Sequence, residues 1–303
     1  DLAEPAFAHA LALRPDNMAA LGHLTELKLL ACDWSAAAAL ERRLLAALRA
    51  GAGGVAPFLL LGSPNATAAD QLAAATAWAR EKTAQAPRLR RAPPAPRAAP
   101  PGRRIRVGYL SSDLREHAIA YLLAGVLAAH DRRRFDIRAY SIGPDDGGPT
   151  RRRIKESVER FVDLSAMGDA AAAHALADDE LDLLVDVNGY TAFARSSVIA
   201  ARPAPLIINW LGYPGTLGAG FADYIIADAM VIPQGEEAHY GEAAVRLPFA
   251  YQPNDRGRII DPATPSRAEC GLPDDGFVFC CFNNLYKITA EVFACWLGVL
   301  RQT

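Results

Sequence analysis

The sequence lacks most of the patterns that would assign a chain to a membrane, metal or disulfide class. No apolar run approaches the roughly 20 residues that cross a bilayer, and no signal peptide opens the chain. Its five cysteines include no Cys-x-x-Cys pair and no histidine at zinc-ligand spacing, so neither a zinc site nor a disulfide framework is indicated. A net charge of -2 gives no general attraction to nucleic acid or to an anionic membrane. We therefore expect a soluble, cytoplasmic protein with neither kind of partner.

Two further absences bear on function. The first predicted strand is not followed by Gly-x-Gly-x-x-Gly, which argues against a dinucleotide site. The chain has no Asp-x-Asp, and we interpret the adjacent acids Asp145 and Asp146 as part of a solvated turn rather than a metal site. The four late cysteines lie in apolar stretches, which is typical of small buried side chains: Cys270, Cys280, Cys281 and Cys295.

The strongest positive signal is a pair of apolar runs that each end in polar, glycine-bearing residues. Residues 181–187 predict a buried strand that ends in Asn188-Gly189-Tyr190-Thr191. Residues 206–211 predict another strand, which ends in Gly212-Tyr213-Pro214-Gly215-Thr216. A crossover between two parallel strands would bring both ends to the carboxyl edge of one sheet, where open α/β sheets bind ligands. That edge is the candidate active site.

An earlier strand supplies further polar residues to the same edge. Residues 105–110 predict the first strand of the sheet, followed by Ser111-Ser112-Asp113 and a helix through about Ala129. Asp113 and Glu116 have the spacing of a capping box, which predicts that Asp113 caps this helix. His117 falls in the first helical turn, where the exposed backbone N–H groups disfavour a positive charge. A neutral imidazole there could accept a proton.

Composition and patterning divide the chain into four segments. Residues 1–86 are helical and resemble the end of a tetratricopeptide repeat array. Residues 87–104 form a linker rich in proline and arginine. Residues 105–252 predict a Rossmann-like domain that carries the candidate active site, and residues 253–303 predict a connector and the start of a second, incomplete domain. The latter opens with a predicted buried strand at residues 276–282.

The ordered set of turn residues resembles the catalytic region of the O-linked N-acetylglucosamine transferase family. The similarity is carried by residues 107–113 with His117, by 188–191, 201–205 and 210–216, by Asp223-Tyr224-Ile225-Ile226, and by 282–287. It implies a GT-B fold, in which two Rossmann-like domains face each other across a cleft and helical repeats precede them. In that fold residues 105–252 are the N-terminal catalytic domain, and residues 253–303 lead into the C-terminal nucleotide-binding domain. It also implies a cytoplasmic glycosyltransferase that transfers N-acetylglucosamine from UDP-GlcNAc to protein serine or threonine hydroxyls. Such an enzyme inverts the anomeric carbon and needs no metal or other cofactor.

The resemblance also assigns roles to individual residues. The catalytic set is His117, Asp113 and Lys287, with Lys287 at the position that holds the diphosphate. The substrate-binding set is Leu211, Gly212, Tyr213, Pro214, Asn284, Tyr286, Tyr190 and Thr191. One departure is that the family's usual His-Pro-Thr is replaced by His117-Ala118-Ile119, which puts a threonine contact in doubt.

Three alternatives stay open at this level. The hydroxyl proton could pass to His117, to Asp113 through water, or to a phosphate oxygen of the donor. The donor sugar could be fucose or glucose, because related protein glycosyltransferases use them. The chain could also be a truncated, non-catalytic module that binds proteins through its helices.

Overall fold

The computed structural model describes residues 2–90, 102–218, 220–258 and 261–302. The helices before the sheet are α1 (Ala3–Leu13), α2 (Met18–Leu30), α3 (Trp34–Arg49), α4 (Pro57–Leu60) and α5 (Ala68–Ala84). The sheet region contains β1 (Ile105–Ser111), α6 (Ala118–Ala129), β2 (Phe135–Ser141), α7 (Pro149–Glu156), β3 (Arg160–Asp163), α8 (Asp169–Asp178), β4 (Leu183–Asp186), α9 (Ser196–Ala200), β5 (Ile207–Asn209), β6 (Tyr224–Ala227) and β7 (Ala243–Arg246). A final helix, α10 (Ala290–Leu300), follows a 3₁₀ turn at Leu285–Lys287.

The first helices form a small layer with an apolar core of its own. Leu21 on α2 and Leu44 and Leu48 on α3 are buried against one another. The last helix of the layer, α5, begins with a capping box between Thr67 and Asp70, and Arg49 forms a two-point ion pair with the same aspartate. The predicted helical segment is therefore present. Residues 91–101 of the predicted Pro/Arg linker lie outside the described residues.

The described strands form one parallel sheet in the order β3-β2-β1-β4-β5-β6-β7. Helices α6 and α7 cover one face, and α5, α8 and α9 cover the other. Both faces are buried, which explains why the strands are continuous apolar runs rather than alternating ones. The expected α/β class with a Rossmann-like sheet is confirmed.

The strand order creates a crevice at the carboxyl edge between β1 and β4. From β1 the chain moves outward to β2 and β3, and then returns past β1 to build β4 and the strands beyond it. The segments that follow β1 and β4 therefore leave the sheet in opposite directions. Open α/β sheets bind ligands at such a switch point.

The connector after β7 is pinned to the sheet domain at two places. The indole N–H of Trp210 donates to the Tyr251 carbonyl at 3.0 Å, and the Tyr251 N–H donates to Asp228 at 2.9 Å. Asp255 then forms an ion pair with Arg153 on α7. These contacts hold the connector against the domain as far as residue 255.

Two expectations for the last segment are wrong. Residues 276–282 do not form a buried strand, and the side chains of Phe277 and Phe282 are 82% and 95% exposed. A strand needs a neighbour for its backbone hydrogen bonds, and no described strand pairs with this segment. The expectation that the late cysteines are buried is also wrong, because all four are exposed, while Cys32 is half-buried.

The residues that follow pack on the first helical layer. The indole N–H of Trp34 donates to the Ile288 carbonyl at 2.9 Å, and its ring lies 5.4 Å from that of Phe293 on α10. The 3₁₀ turn at Leu285–Lys287 therefore sits beside the first helices. None of the described helices is both long and apolar enough to cross a membrane.

Candidate active site

A cluster of buried polar side chains occupies the crevice between β1 and β4. Ser111 ends β1 and is followed by Ser112 and Asp113. Asp186 ends β4, and Asn188 lies two residues beyond it. All five are buried. Polar groups are buried at a cost unless they are hydrogen-bonded, so such a cluster needs a connected network. Hydrogen bonds centred on Asn188 and Asp113 connect these side chains and fix the geometry of the crevice.

Asn188 ties the ends of the two strands together. Its Oδ1 accepts the Ser112 N–H at 2.6 Å, and its Nδ2 donates to Ser112 Oγ at 2.8 Å and to Thr191 Oγ1 at 2.9 Å. A third acceptor for Nδ2 is Asp113 Oδ2, at 3.3 Å. Because the Ser112 N–H can only donate, the orientation of the amide is fixed.

Asp113 is the carboxylate at the centre of this network. Ser112 Oγ donates to its Oδ1 at 3.0 Å, so each carboxylate oxygen accepts a hydrogen bond from a neutral donor. Its Oδ2 lies 3.9 Å from His117 Nδ1. A carboxylate held in this way keeps acceptor capacity for a substrate hydroxyl or a water molecule.

His117, and not Asp113, caps α6. The backbone of His117 is extended, and its Nδ1 accepts the Ile119 N–H at 3.3 Å. The predicted capping by Asp113 is therefore wrong, because the helix begins at Ala118 and lies beyond the reach of that carboxylate. Since Nδ1 accepts, the proton of the neutral ring lies on Nε2, which can donate a hydrogen bond to a substrate.

The loop after β2 supports this turn. Asp146 accepts the Glu116 N–H at 2.7 Å and the Gly148 N–H at 3.0 Å, and Glu116 in turn accepts the Thr150 N–H at 2.6 Å. Asp145 accepts the Gly147 N–H. Both acids lie exposed in this loop, as the interpretation of a solvated turn requires, and Asp146 also fixes the residue that precedes His117.

The turn after β5 is strained and tightly packed. Leu211 has a positive φ of 84°, a conformation that costs a non-glycine residue about 1–3 kcal/mol. A Cβ on Gly212 would lie 2.0 Å from the carbonyl oxygen of Val187, so only glycine fits there. Pro214 is exposed at the edge. The backbone of this turn therefore approaches the end of β4 as closely as it can.

Two predicted substrate residues are instead part of the scaffold. The Tyr190 hydroxyl donates to the Leu217 carbonyl at 2.6 Å, and its ring stands 5.5 Å from that of Tyr213, edge to face. Tyr213 is 1% exposed. Only the backbone of these residues can face a substrate, whereas Thr191 remains half-exposed beside Asn188.

Glu242 supports the same turn from below and was missed by sequence reasoning. Its Oε1 accepts the Leu217 N–H at 2.8 Å, and its Oε2 accepts the Thr216 hydroxyl at 2.6 Å. Burial raises the pKa of this carboxyl above its usual range. A lone glutamate before a short strand carries no sequence signal for such a role.

Burial also acts on Asp186, at the end of β4. Loss of hydration raises its pKa to about 6, against the opposing effect of hydrogen bonds from the backbone N–H groups of Asn188 and Gly189. Its Oδ1 accepts the Asn188 N–H at 3.0 Å. Asp186 therefore sets the backbone of the residue that bridges the two strands.

The remaining predicted residues lie on the last segment. Asn284 and Lys287 are exposed, and the ammonium group of Lys287 lies 5.9 Å from the ring of Tyr286. Tyr286 lines a small cavity together with Phe58 and Gly62. Phe58 also stands 6.4 Å from the ring of Tyr213. The other predicted residues lie together at the carboxyl edge of the sheet. Asn284, Tyr286 and Lys287 lie beside the first helices instead. Phe58 is near both sets, because it contacts Tyr213 and lines the same cavity as Tyr286.

Comparison with known proteins identifies relatives of this arrangement. The family model described as Glycosyl transferase family 41 matches residues 92–261 and 258–303. The chain is 37% identical over 205 residues to a probable UDP-N-acetylglucosamine–peptide N-acetylglucosaminyltransferase of Arabidopsis thaliana, covering 66% of this chain and 21% of that protein. It is 37% identical over 160 residues to the corresponding enzyme of Caenorhabditis elegans, covering 52% of this chain and 14% of that one.

A solved structure shows the same architecture. A lysine-to-methionine mutant of the Thermobaculum terrenum O-GlcNAc transferase matches with a TM-score of 0.72 and 27% identity. The match covers 99% of this chain and 56% of that one. The chain therefore spans about half of this structure and about a fifth or less of the curated relatives.

Proposed function

Because the chain belongs to glycosyl transferase family 41, we propose that it transfers N-acetylglucosamine from UDP-GlcNAc to serine or threonine hydroxyls of proteins. The observation that carries the proposal is the buried Asp113 carboxylate at the switch point, next to the turn at Leu211 and Gly212. The named activities of the relatives support the same reaction. The transfer inverts the anomeric carbon and needs no metal ion.

In this reaction the acceptor hydroxyl attacks the anomeric carbon from the face opposite the diphosphate. The new bond joins the hydroxyl oxygen to that carbon, and the bond from the carbon to the phosphate oxygen breaks, so UDP leaves with the electron pair. Asp113 receives the hydroxyl proton, directly or through water. Ser112 and Asn188 each donate to one of its oxygens, which holds the carboxylate in place and leaves further lone pairs to accept the proton. His117 serves as a donor through Nε2–H, since its Nδ1 caps α6.

The other residues position the sugar and stabilise the leaving group. The backbone at Leu211, Gly212 and Pro214 faces the sugar, in a conformation fixed by Val187 and Glu242. Lys287 offsets the charge that develops on the diphosphate. Asn284 and Tyr286 precede that lysine in the same 3₁₀ turn, and we assign them to the donor site.

A transfer assay with several donors tests this proposal. The chain is incubated with a serine peptide and with UDP-GlcNAc, UDP-glucose or GDP-fucose, and the peptide mass is measured. We expect addition of N-acetylhexosamine alone, with the rate lowered by on the order of 100-fold or more in Asp113→Asn. Asp16→Asn, in an exposed turn, is the matched control and keeps the wild-type rate. Addition of glucose or fucose would overturn the donor assignment, and no addition from any donor would favour a non-catalytic binding module.

A further inference from the structure

An arginine beside the candidate catalytic carboxylate has donors that no described group uses. Arg115 lies in the turn between β1 and α6, and its side chain is 28% exposed. Its Nε is buried and has no hydrogen-bond partner in the described part of the chain. Its nearest acid is Asp113, whose Oδ1 lies 4.0 Å from Nη2, beyond hydrogen-bond reach. A buried, unpaired guanidinium N–H in a site is costly unless a ligand completes it.

Three other arginines around this edge are engaged. Arg151 donates to the Leu114 carbonyl, to Ser141 and to Asp163, while Arg195 is bound by Asp169 and by two backbone carbonyls. Arg202 makes a two-point pair with Asp223. Arg151 Nε also makes no hydrogen bond, but it lies 3.0 Å from Asp145 Oδ1. Arg115 differs from these three because, in the described part of the chain, its side chain makes no hydrogen bond and its nearest acid lies beyond hydrogen-bond reach. Its fork of donors is therefore left for a ligand.

The acids near Arg115 do not neutralise it. Glu116 is used by the Thr150 N–H and the Tyr121 hydroxyl, and Asp146 is used by two backbone N–H groups. Asp145 pairs with Lys155 and Arg151. Each of these carboxylates already has donors of its own, so the guanidinium remains available to an anion from outside.

The position of Arg115 indicates which ligand it meets. This step rests on the proposed function, in which attack comes from the face opposite the diphosphate. The group that takes the hydroxyl proton then lies on the acceptor side of the sugar, and Arg115 adjoins that group. A planar guanidinium fits a carboxylate through two parallel hydrogen bonds.

We propose that Arg115 is a specificity-determining residue that selects acceptor segments with an aspartate or glutamate close to the modified serine or threonine. The carboxylate of the acceptor pairs with the free fork of Arg115. This pairing draws the neighbouring hydroxyl toward Asp113. An acceptor without an acid leaves the buried Nε unpaired and binds less tightly.

Peptide binding tests this inference without requiring transfer. A glutamate is moved along the residues that flank one serine, each peptide is matched with a glutamine version, and binding is followed by fluorescence anisotropy in the presence of UDP. We expect at least one glutamate peptide to bind wild type about tenfold more tightly than its glutamine match. The preference disappears in Arg115→Ala and turns toward lysine peptides in Arg115→Glu. Arg133→Ala, which removes an exposed arginine at the far edge of the sheet, keeps the wild-type preference.

Several outcomes would overturn the inference. Equal binding of all glutamate and glutamine pairs by wild type would do so, as would a preference that survives in Arg115→Ala. Weaker UDP binding by Arg115→Ala, with peptide preference unchanged, would instead place a phosphate at this arginine. The proposed function is tested separately, by measuring sugar transfer to the peptide that binds most tightly. No transfer to that peptide would count against the proposed function and would leave the binding preference as measured.

Discussion

Replacing Gly212 by alanine is expected to destabilise the fold by more than about 3 kcal/mol and to abolish binding of UDP-GlcNAc. The added Cβ would lie 2.0 Å from the Val187 carbonyl oxygen, which is backbone at the end of β4 and cannot rotate away. To relieve the overlap, the turn must leave β4, and this moves the strained Leu211 and the surface that faces the sugar. Chemical denaturation and calorimetric titration measure the two effects.

Gly168 provides the matched control for this substitution. It precedes α8 with a φ of -67°, and a Cβ there would meet nothing within 4 Å. Gly168→Ala should change the free energy of unfolding by less than about 1 kcal/mol. If Gly212→Ala proves as stable as Gly168→Ala and still binds the donor, the close approach of the two turns is not required.

The second large effect concerns Asp186 and depends on pH. Burial raises its pKa to about 6, above the usual 3.8, so the folded state holds the proton more tightly than the unfolded state does. The favourable contribution of this group is complete below about pH 3 and is lost as pH rises through about 6 to about 7. The loss corresponds to about 3 kcal/mol.

The measurement compares wild type with Asp186→Asn across this range. The variant cannot ionise, so its free energy of unfolding relative to wild type should rise by about 3 kcal/mol between about pH 3 and pH 7. Asp228→Asn is the control of opposite sign. Three backbone N–H groups lower the pKa of Asp228, so its contribution stays constant above about pH 4 and is lost only as pH falls below that value. If the difference in unfolding free energy between Asp186→Asn and wild type does not change with pH over this range, the pKa of Asp186 is not raised.

The sequence predicted those parts of the site that are local. The strand at residues 105–110, the glycine turn after β5 and the parallel arrangement of β4 and β5 follow from apolar runs and turn residues. They follow because each depends on neighbours within a few residues, together with the rule that parallel strands share a carboxyl edge. Asp113, His117 and Gly212 therefore came together as expected.

The long-range contacts that shape the site could not be predicted from the sequence. Asn188 binds Ser112 across 76 residues, Asp146 holds Glu116 across 30, and Glu242 reaches Asn209 across 33. An isolated asparagine or glutamate does not indicate a partner so far along the chain. The cap by His117 was not predicted for a related reason. Asp113 has the spacing of a capping residue, and only the structure shows that its carboxylate instead accepts hydrogen bonds from Ser112 and Asn188.

The predicted strand at residues 276–282 shows a different limit. Its apolar pattern is typical of a buried strand, but burial depends on a neighbouring strand and an overlying helix. Neither packs on it in the described part of the chain, so the phenylalanines stay exposed. An apolar pattern predicts which side chains of a segment can be buried, but it does not predict which element packs over them.

Hydrogen exchange of the chain with and without UDP-GlcNAc tests the central claim most directly. If the sugar binds at the crevice between β1 and β4, the amides of residues 111–118 and 209–216 become protected together. The amides at the opposite edge of the sheet, around residues 131–135, should not change. Protection confined to the first helical layer, or no protection at saturating donor, would contradict the assignment of the site to this edge.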